Sequence, residues 1–155
     1  ATYQANGTLR MGERNVRVRP GTRIAGLPRH QLKLSVDGRP MSGVTVGADL
    51  QLLSRRGTAG NEDGLIENGG DERVDLGVPG YAVMNLRATW RPADWGGIKV
   101  FARITNLFDR RYASYGALAE TQFAANGAYT GVGADAVFVA PGAPRALFVG
   151  LRKTF

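Results

Sequence analysis

Ala143-Pro-Arg-Ala-Leu-Phe-Val-Gly-Leu-Arg-Lys-Thr-Phe155 closes the chain and alternates in character along its length. Counting back from the end, Lys153, Leu151, Val149, Leu147 and Arg145 form one set. Thr154, Arg152, Gly150, Phe148 and Ala146 form the other. Successive side chains of a strand point to opposite faces. The stretch therefore reads as one β-strand, mostly Leu and Val on one side, mixing Gly, Thr and Arg with one Phe on the other. It stops on an aromatic residue, Phe155, that carries the chain carboxylate. Two environments accept such a strand. A soluble sheet turns its apolar face to a core, whereas a transmembrane barrel turns it to lipid and keeps a polar interior.

Working outward, five further alternating stretches occur. The first spans 1–10, with Tyr3, Ala5, Gly7 and Leu9 on one face. The second spans 29–37, with Leu32, Leu34 and Val36 opposite Gln31, Lys33, Ser35 and Asp37. The third, 44–54, has the cleanest alternation: Val44, Val46, Ala48, Leu50 and Leu52 against Thr45, Gly47, Asp49 and Gln51. The fourth, 80–91, sets Ala82, Met84, Leu86, Ala88 and Trp90 against Tyr81, Val83, Asn85, Arg87 and Thr89. The fifth, 98–107, sets Ile98, Val100, Ala102 and Ile104 against Lys99, Phe101, Arg103 and Thr105. Helical periodicity is weak throughout. Its best candidate, 113–125, contains Gly116 and lacks a capping signal. Glycine stands at 22 of 155 residues, with 7 prolines, which punctuates the chain too heavily for long helices.

The connections alternate in length. Residues 11–28, 55–79 and 108–142 read as long loops, whereas 38–43 and 91–97 are short turns. Strands of about ten residues suit a tilted bilayer crossing. Short turns at one end and long loops at the other is the pattern of outer-membrane barrels. With the end of the last strand on the periplasmic side, both short turns fall there and all three long loops fall outside. Trp90 and Trp95 then flank a periplasmic turn, where an interfacial aromatic belongs. Six alternating strands with one apolar face also describe half of a soluble sandwich, so the pattern alone leaves that alternative open.

The net charge of +7 is unevenly placed. Six arginines (Arg10, Arg14, Arg17, Arg19, Arg23, Arg29) fall in the first thirty residues, and Glu62, Asp63, Glu67, Asp71, Glu72 and Asp75 cluster later. Patches of both signs, without aromatics interleaved in the basic region to stack on bases, argue against a nucleic-acid partner. Without cysteine there are no disulfides or thiolate metal sites. No run of eighteen apolar residues marks a membrane helix. Residues 1–155 include no export signal, so the expectation is a mature product or a piece of something longer.

Enzyme readings fail on inventory. There is one histidine, His30, no Gly-Lys-Thr phosphate loop, and no nucleophile–base pair. No cofactor is expected. Asn61-Glu-Asp-Gly64 lacks calcium-loop spacing, so the acidic stretch reads as a solvated loop.

Asn106-Leu-Phe-Asp-Arg-Arg-Tyr112 follows the fifth strand, and Pro141-Gly-Ala-Pro-Arg145 opens the last. Together with the closing strand these closely resemble the C-terminal end of TonB-dependent outer-membrane receptors. The resemblance rests on Asn106, Leu107, Phe108, Asp109, Tyr112, Pro141, Gly142, Pro144 and Arg145. Gly26-Leu-Pro-Arg-His30 and Val78-Pro-Gly-Tyr81 look like two upstream elements of the same family, in the same order. The resemblance implies an all-β fold: an antiparallel transmembrane β-barrel segment, about six strands of a barrel of about 22, with residues 1–155 as its C-terminal portion. The plug domain and a TonB-box segment are not recognisable in this chain. The implied activity is TonB-dependent uptake of a nutrient, most often a ferric siderophore, by a receptor in the bacterial outer membrane.

The implied partners are the remaining strands and plug of the parent receptor, the TonB complex acting through that plug, outer-membrane lipid and lipopolysaccharide, and the barrel-assembly machinery. That machinery is expected to read Leu147, Val149, Leu151 and Phe155. One position departs from the family. The third residue from the end, usually aromatic or apolar, is Lys153, which either weakens that recognition or snorkels to the interface.

Asn106 and Asp109 are expected to bond nearby backbone where a strand leaves the sheet. Asp49, Arg87, Lys99 and Arg103 are expected on the lumen side, solvated, paired with acids such as Asp49 and plug carboxylates, or attracting an anionic ligand. The arginine-rich loop 10–29 is expected outside, solvated or meeting lipopolysaccharide phosphates or an anionic metal chelate. Two other classes remain open: a self-contained or self-associating β-domain with a binding or structural role, and a TonB-independent outer-membrane porin or adhesin.

Overall fold

Every regular element among the described residues (1–11, 14–67, 71–73 and 76–154 of the computed structural model) is a β-strand. The chain divides into two units. One comprises His30–Leu53, Tyr81–Arg111 and Gly142–Phe155; the other Ala1–Arg29, Ser54–Gly80 and Tyr112–Pro141.

The first unit is a five-stranded antiparallel sheet. Its strands are β3 (Gln31–Met41), β4 (Val44–Leu53), β9 (Tyr81–Trp90), β10 (Ile98–Thr105) and β13 (Ala146–Lys153), in the order β13-β10-β9-β4-β3. Its register aligns the apolar positions of all five strands. One row runs Val36, Ala48, Leu86, Ile104, Leu147, and the next runs Val46, Ala88, Ala102, Val149. The other face carries Ser35, Asp49 and Asn85, then Asp37, Gly47, Arg87, Arg103 and Phe148. Directly opposed residues in antiparallel strands share a face, so a period-2 pattern in each strand becomes two continuous surfaces.

Nothing in this unit covers the apolar surface. Leu147, Val149 and Leu151 are each about two-thirds exposed or more (66%, 67% and 71%), and Val83 is its one buried hydrophobic side chain among the described residues. The short turns lie at one end. Gly43, at φ 75°, accepts a hydrogen bond from the Arg91 amide at its carbonyl oxygen, and a Cβ there would stand 2.5 Å from the Arg91 carbonyl oxygen. Gly97, at φ 82°, takes the Thr154 amide in the same way. Only glycine combines that backbone with so close an approach.

Two expectations about this sheet change, its strand count and one turn. The sheet has five strands, not six. Residues 1–10 supply β1 (Gly7–Met11), which pairs with β2 (Arg14–Val18) in the other unit. The reason is local. Val16 and Val18 also alternate with polar residues, so Gly7 and Leu9 find partners a few residues away without closing a long loop. The turn expected at 38–43 is shorter, since β3 continues through an irregularity to Met41. The sheet is not closed, and β3 and β13 are its edges.

The second unit is not loop. Besides β1 and β2 it contains β5 (Arg56–Gly57) paired with β8 (Gly77–Val78), β6 (Leu65–Glu67) paired with β7 (Asp71–Arg73), and the long hairpin β11 (Ala113–Phe123) with β12 (Tyr129–Pro141). The stretch with the best helical periodicity is thus strand β11, as its Gly116 and uncapped start allow. Val16, Val18, Val78, Ala59 and Leu118 are buried in this unit. Ala59 joins the hairpin through bonds to Gly116 and Leu118.

Candidate functional site

Two constellations in the five-stranded unit involve the residues singled out from the sequence. The first is a clamp where β10 ends. Asn106 is buried (2% exposed) and holds a left-handed backbone at φ 49°. Its amide nitrogen Nδ2 donates to the carbonyl oxygens of Arg110 (2.9 Å) and Ala143 (3.0 Å), while Oδ1 accepts from the Arg110 amide (2.8 Å). Its own backbone N–H donates to Oδ1 of Asn85 at 2.9 Å. Asp109, also left-handed at φ 50°, donates its amide to the Asn106 carbonyl and accepts the Arg145 amide at Oδ1 (3.0 Å). Asn and Asp tolerate this backbone because their short polar side chains bond locally.

The Asn106–Asp109 and Ala143–Arg145 segments, far apart in sequence, are thereby stitched together. Leu107 donates its amide to Met84. Phe108 is exposed, Gly142 half-buried, and Pro144 exposed. In the second unit, Tyr112 is half-buried and Pro141 ends β12. The expected terminal aromatic, Phe155, lies outside the described residues, whereas Leu147, Val149 and Leu151 share the apolar face.

The second constellation lies on the polar face. Arg87 bonds Asp49 through Nη1 and Asp37 through Nη2, the latter at 2.7 Å. Ser35 donates its hydroxyl to Asp49 at 2.8 Å. Arg103 stands opposite Arg87 in the register, and Lys99 lies further toward the short turns. Asp49, Arg87, Lys99 and Arg103 share one face of the sheet. Asp49 and Arg87 come together; Lys99 does not join them. Asp37 and Ser35 sit on the polar side of their strand in the sequence, but their meeting with Arg87 depends on strand order, which no alternation pattern reveals. Arg87 can reach Asp37 because Gly47 stands between them with no side chain.

No metal-holding group of three or more His, Cys, Asp and Glu occurs among the described residues. In the second unit Glu62 accepts the Gly60 amide (2.9 Å), and Asn61 accepts that of Leu76 (3.0 Å), so these side chains are used in holding their own loop. Burial, together with the Glu62 carboxylate, raises the Tyr3 phenol above its ordinary value. Of the acidic stretch, Asp75 lies outside the described residues.

The fold is thus an all-β, antiparallel one, built on an amphipathic sheet with one uncovered apolar face and one charged face. No protein family matches the chain by sequence, and no curated protein matches it. Among solved structures it is similar to the ferric-catecholate import receptor Fiu of Escherichia coli K12 in its closed form. The TM-score is 0.53 at 17% identity, over 86% of this chain and 16% of that one. The chain thus spans about a sixth of the length of that receptor, and the likeness is one of fold.

Proposed function

We propose that residues 1–155 are the C-terminal part of the β-barrel of a TonB-dependent outer-membrane receptor that imports a nutrient of the ferric-siderophore class. One observation carries this reading: the apolar rows run unbroken across five strands and are left uncovered. Lipid is the solvent that such a surface fits, and the charged opposite face fits a barrel lumen. The similarity to part of an import receptor supports the same reading. In it the turns at Gly43 and Gly97 face the periplasm and the connections 54–80 and 106–145 face outward. Leu147, Val149, Leu151 and Phe155 form the signal read by the barrel-assembly machinery. The role is binding and gated transport, with a plug domain and the TonB complex as partners and no covalent chemistry. Five strands leave two edges, whose unpaired backbone groups each cost several kcal/mol in lipid, so the remaining strands of the receptor complete the wall.

The test is solubility with and without detergent, combined with the reading frame upstream of Ala1. The expected result is a chain that aggregates in buffer and becomes monodisperse and β-rich in micelles, with an upstream plug domain. A chain monodisperse without detergent overturns the lipid-facing assignment of Val44, Leu50, Leu86 and Ile104 and favours a self-contained β-domain. A detergent-dependent chain whose gene lacks a plug is a porin or adhesin instead.

A further inference from the structure

The second unit holds a cavity of about 430 Å³ whose walls are pinned by main-chain hydrogen bonds. Tyr3 donates its amide to the carbonyl of Thr22 (2.8 Å), and Gly26 donates to that of Gly57 (3.0 Å). Thr58 donates to Leu76, Asn61 to Thr58, and Gly64 to Asn61, which closes the facing turn. Walls fixed before a ligand arrives leave little ordering entropy to lose on binding.

The charge lining this cavity is unbalanced. Arg23, Arg29, Arg55 and Arg56 stand against only Glu62 and Asp63, so two positive charges are in excess. Arg56 is buried and donates from Nη2 to the Ala113 carbonyl at 2.8 Å. Arg55 lies over Gly77, where a Cβ would stand 2.6 Å from its Cζ. Glu62 is occupied with the Gly60 amide. Among the described residues, the side chains of Arg23 and Arg29 have no hydrogen-bond or ion-pair partner. Ile24, Leu27 and Leu76 add apolar wall beside them. A guanidinium fork matches carboxylate and phosphate alike. The excess of two charges decides between them. A monocarboxylate or a sulfate ester brings one negative charge, whereas a phosphomonoester carries close to two at neutral pH. Inorganic phosphate has the charge but no organic part to meet Ile24 and Leu27.

We infer that this cavity is a binding site for a phosphomonoester, with its phosphate held by Arg23 and Arg29 and its organic part against Ile24, Leu27 and Leu76. The charge argument requires only the second unit. The inference rests on the receptor reading only for where the ester comes from. On that reading residues 54–80 face outward, and the ester is a free phosphorylated solute or the phosphate of a surface glycolipid.

The experiment uses the 155-residue chain folded in non-ionic micelles at about 50 mM salt, where screening is weak. Phenyl phosphate is titrated calorimetrically, followed by mixed micelles carrying a monophosphorylated glycolipid. The wild-type chain is expected to bind phenyl phosphate at one site, and R23Q/R29Q to bind it about tenfold more weakly or worse. Both arginines are exposed, so the variant is expected to keep the wild-type circular dichroism. R39Q/R91Q removes the same charge from the cationic cleft of the five-stranded sheet and is expected to stay within about twofold. Phenyl sulfate, of similar shape with one charge fewer, is expected to bind more weakly than phenyl phosphate. Glycolipid that displaces phenyl phosphate at lower concentration than phenyl phosphate itself supports the site with a surface lipid as its source. Glycolipid that fails to displace it supports the site with a free solute. Undiminished binding by R23Q/R29Q overturns the inference, as does loss of binding in R39Q/R91Q or equal affinity for phenyl sulfate. A detergent-dependent chain that binds neither ester overturns this inference and leaves the receptor reading intact. Binding of phenyl phosphate by a chain monodisperse without detergent overturns the receptor reading and supports the site.

Discussion

Arg87 reaches over Gly47 to the carboxylate of Asp37, spanning from β9 across β4 to β3, with Nη2 and Oδ2 2.7 Å apart. A Cβ on Gly47 would stand 2.6 Å from Nε of Arg87 and 2.4 Å from Oδ1 of Asp37. The glycine is therefore a channel for the ion pair. Because Arg87 is 34% and Asp37 57% exposed in their side chains, solvent screens the pair and its contribution to stability is small. Gly47→Ala is expected to remove it. In a double-mutant cycle read by urea unfolding, Asp37→Asn is expected to cost stability in the wild-type background and nothing in the Gly47→Ala background. An unchanged cost would show that Arg87 takes another route.

Asn106 combines a left-handed backbone with three side-chain hydrogen bonds. Asn106→Ala loses both and is expected to destabilise the sheet by about 2–3 kcal/mol. Asn106→Gly loses only the hydrogen bonds and is expected to recover about 1 kcal/mol of that. The order Asn, Gly, Ala in unfolding midpoint is the readout. Equal midpoints for Gly and Ala would mean that the backbone conformation contributes nothing.

Leu86 sits at the centre of the apolar row and Gln51 on the polar face. On the barrel reading, Leu86→Arg is expected to cost about 2–4 kcal/mol in a bilayer, the penalty for a cation near the midplane. Gln51→Arg is expected to cost well under 1 kcal/mol, because a solvated lumen position accepts charge. Folded yield in phospholipid vesicles reports the difference, and equal yields would contradict the assignment of faces.

In the second unit, a Cβ on Gly116 would stand 2.5 Å from Cγ2 of Val78, a fully buried side chain with no room to withdraw. Gly116→Ala is expected to cost about 1–3 kcal/mol as overpacking. Adding Val78→Ala is expected to cost less than its own penalty predicts, since it vacates the contested space. Strict additivity of the two losses would show that they do not compete.

Three of the five sheet strands, β4, β9 and β10, are recognisable within two residues at both ends from alternation alone, and the faces of all five are legible, because period 2 is a property of each strand by itself. The Leu and Val positions of 44–54 and 146–153 need no partner to declare a side. The bonding of Asn106 to the backbone of Arg110 is legible for the same reason, as local stereochemistry, whereas its bond to Ala143 and that of Asp109 to Arg145 join distant segments. What alternation does not contain is pairing. Residues 1–10 alternate as well as any membrane strand, yet their partner is β2 a few residues on, and 113–123 carries a strand inside what reads as a loop. The meeting of Asp37, Asp49 and Arg87, and the placing of Lys99 opposite Arg152, follow from strand order and register. Those are set by hydrogen bonds between distant segments, so only the assembled sheet decides which charges cancel and which stand together on one face.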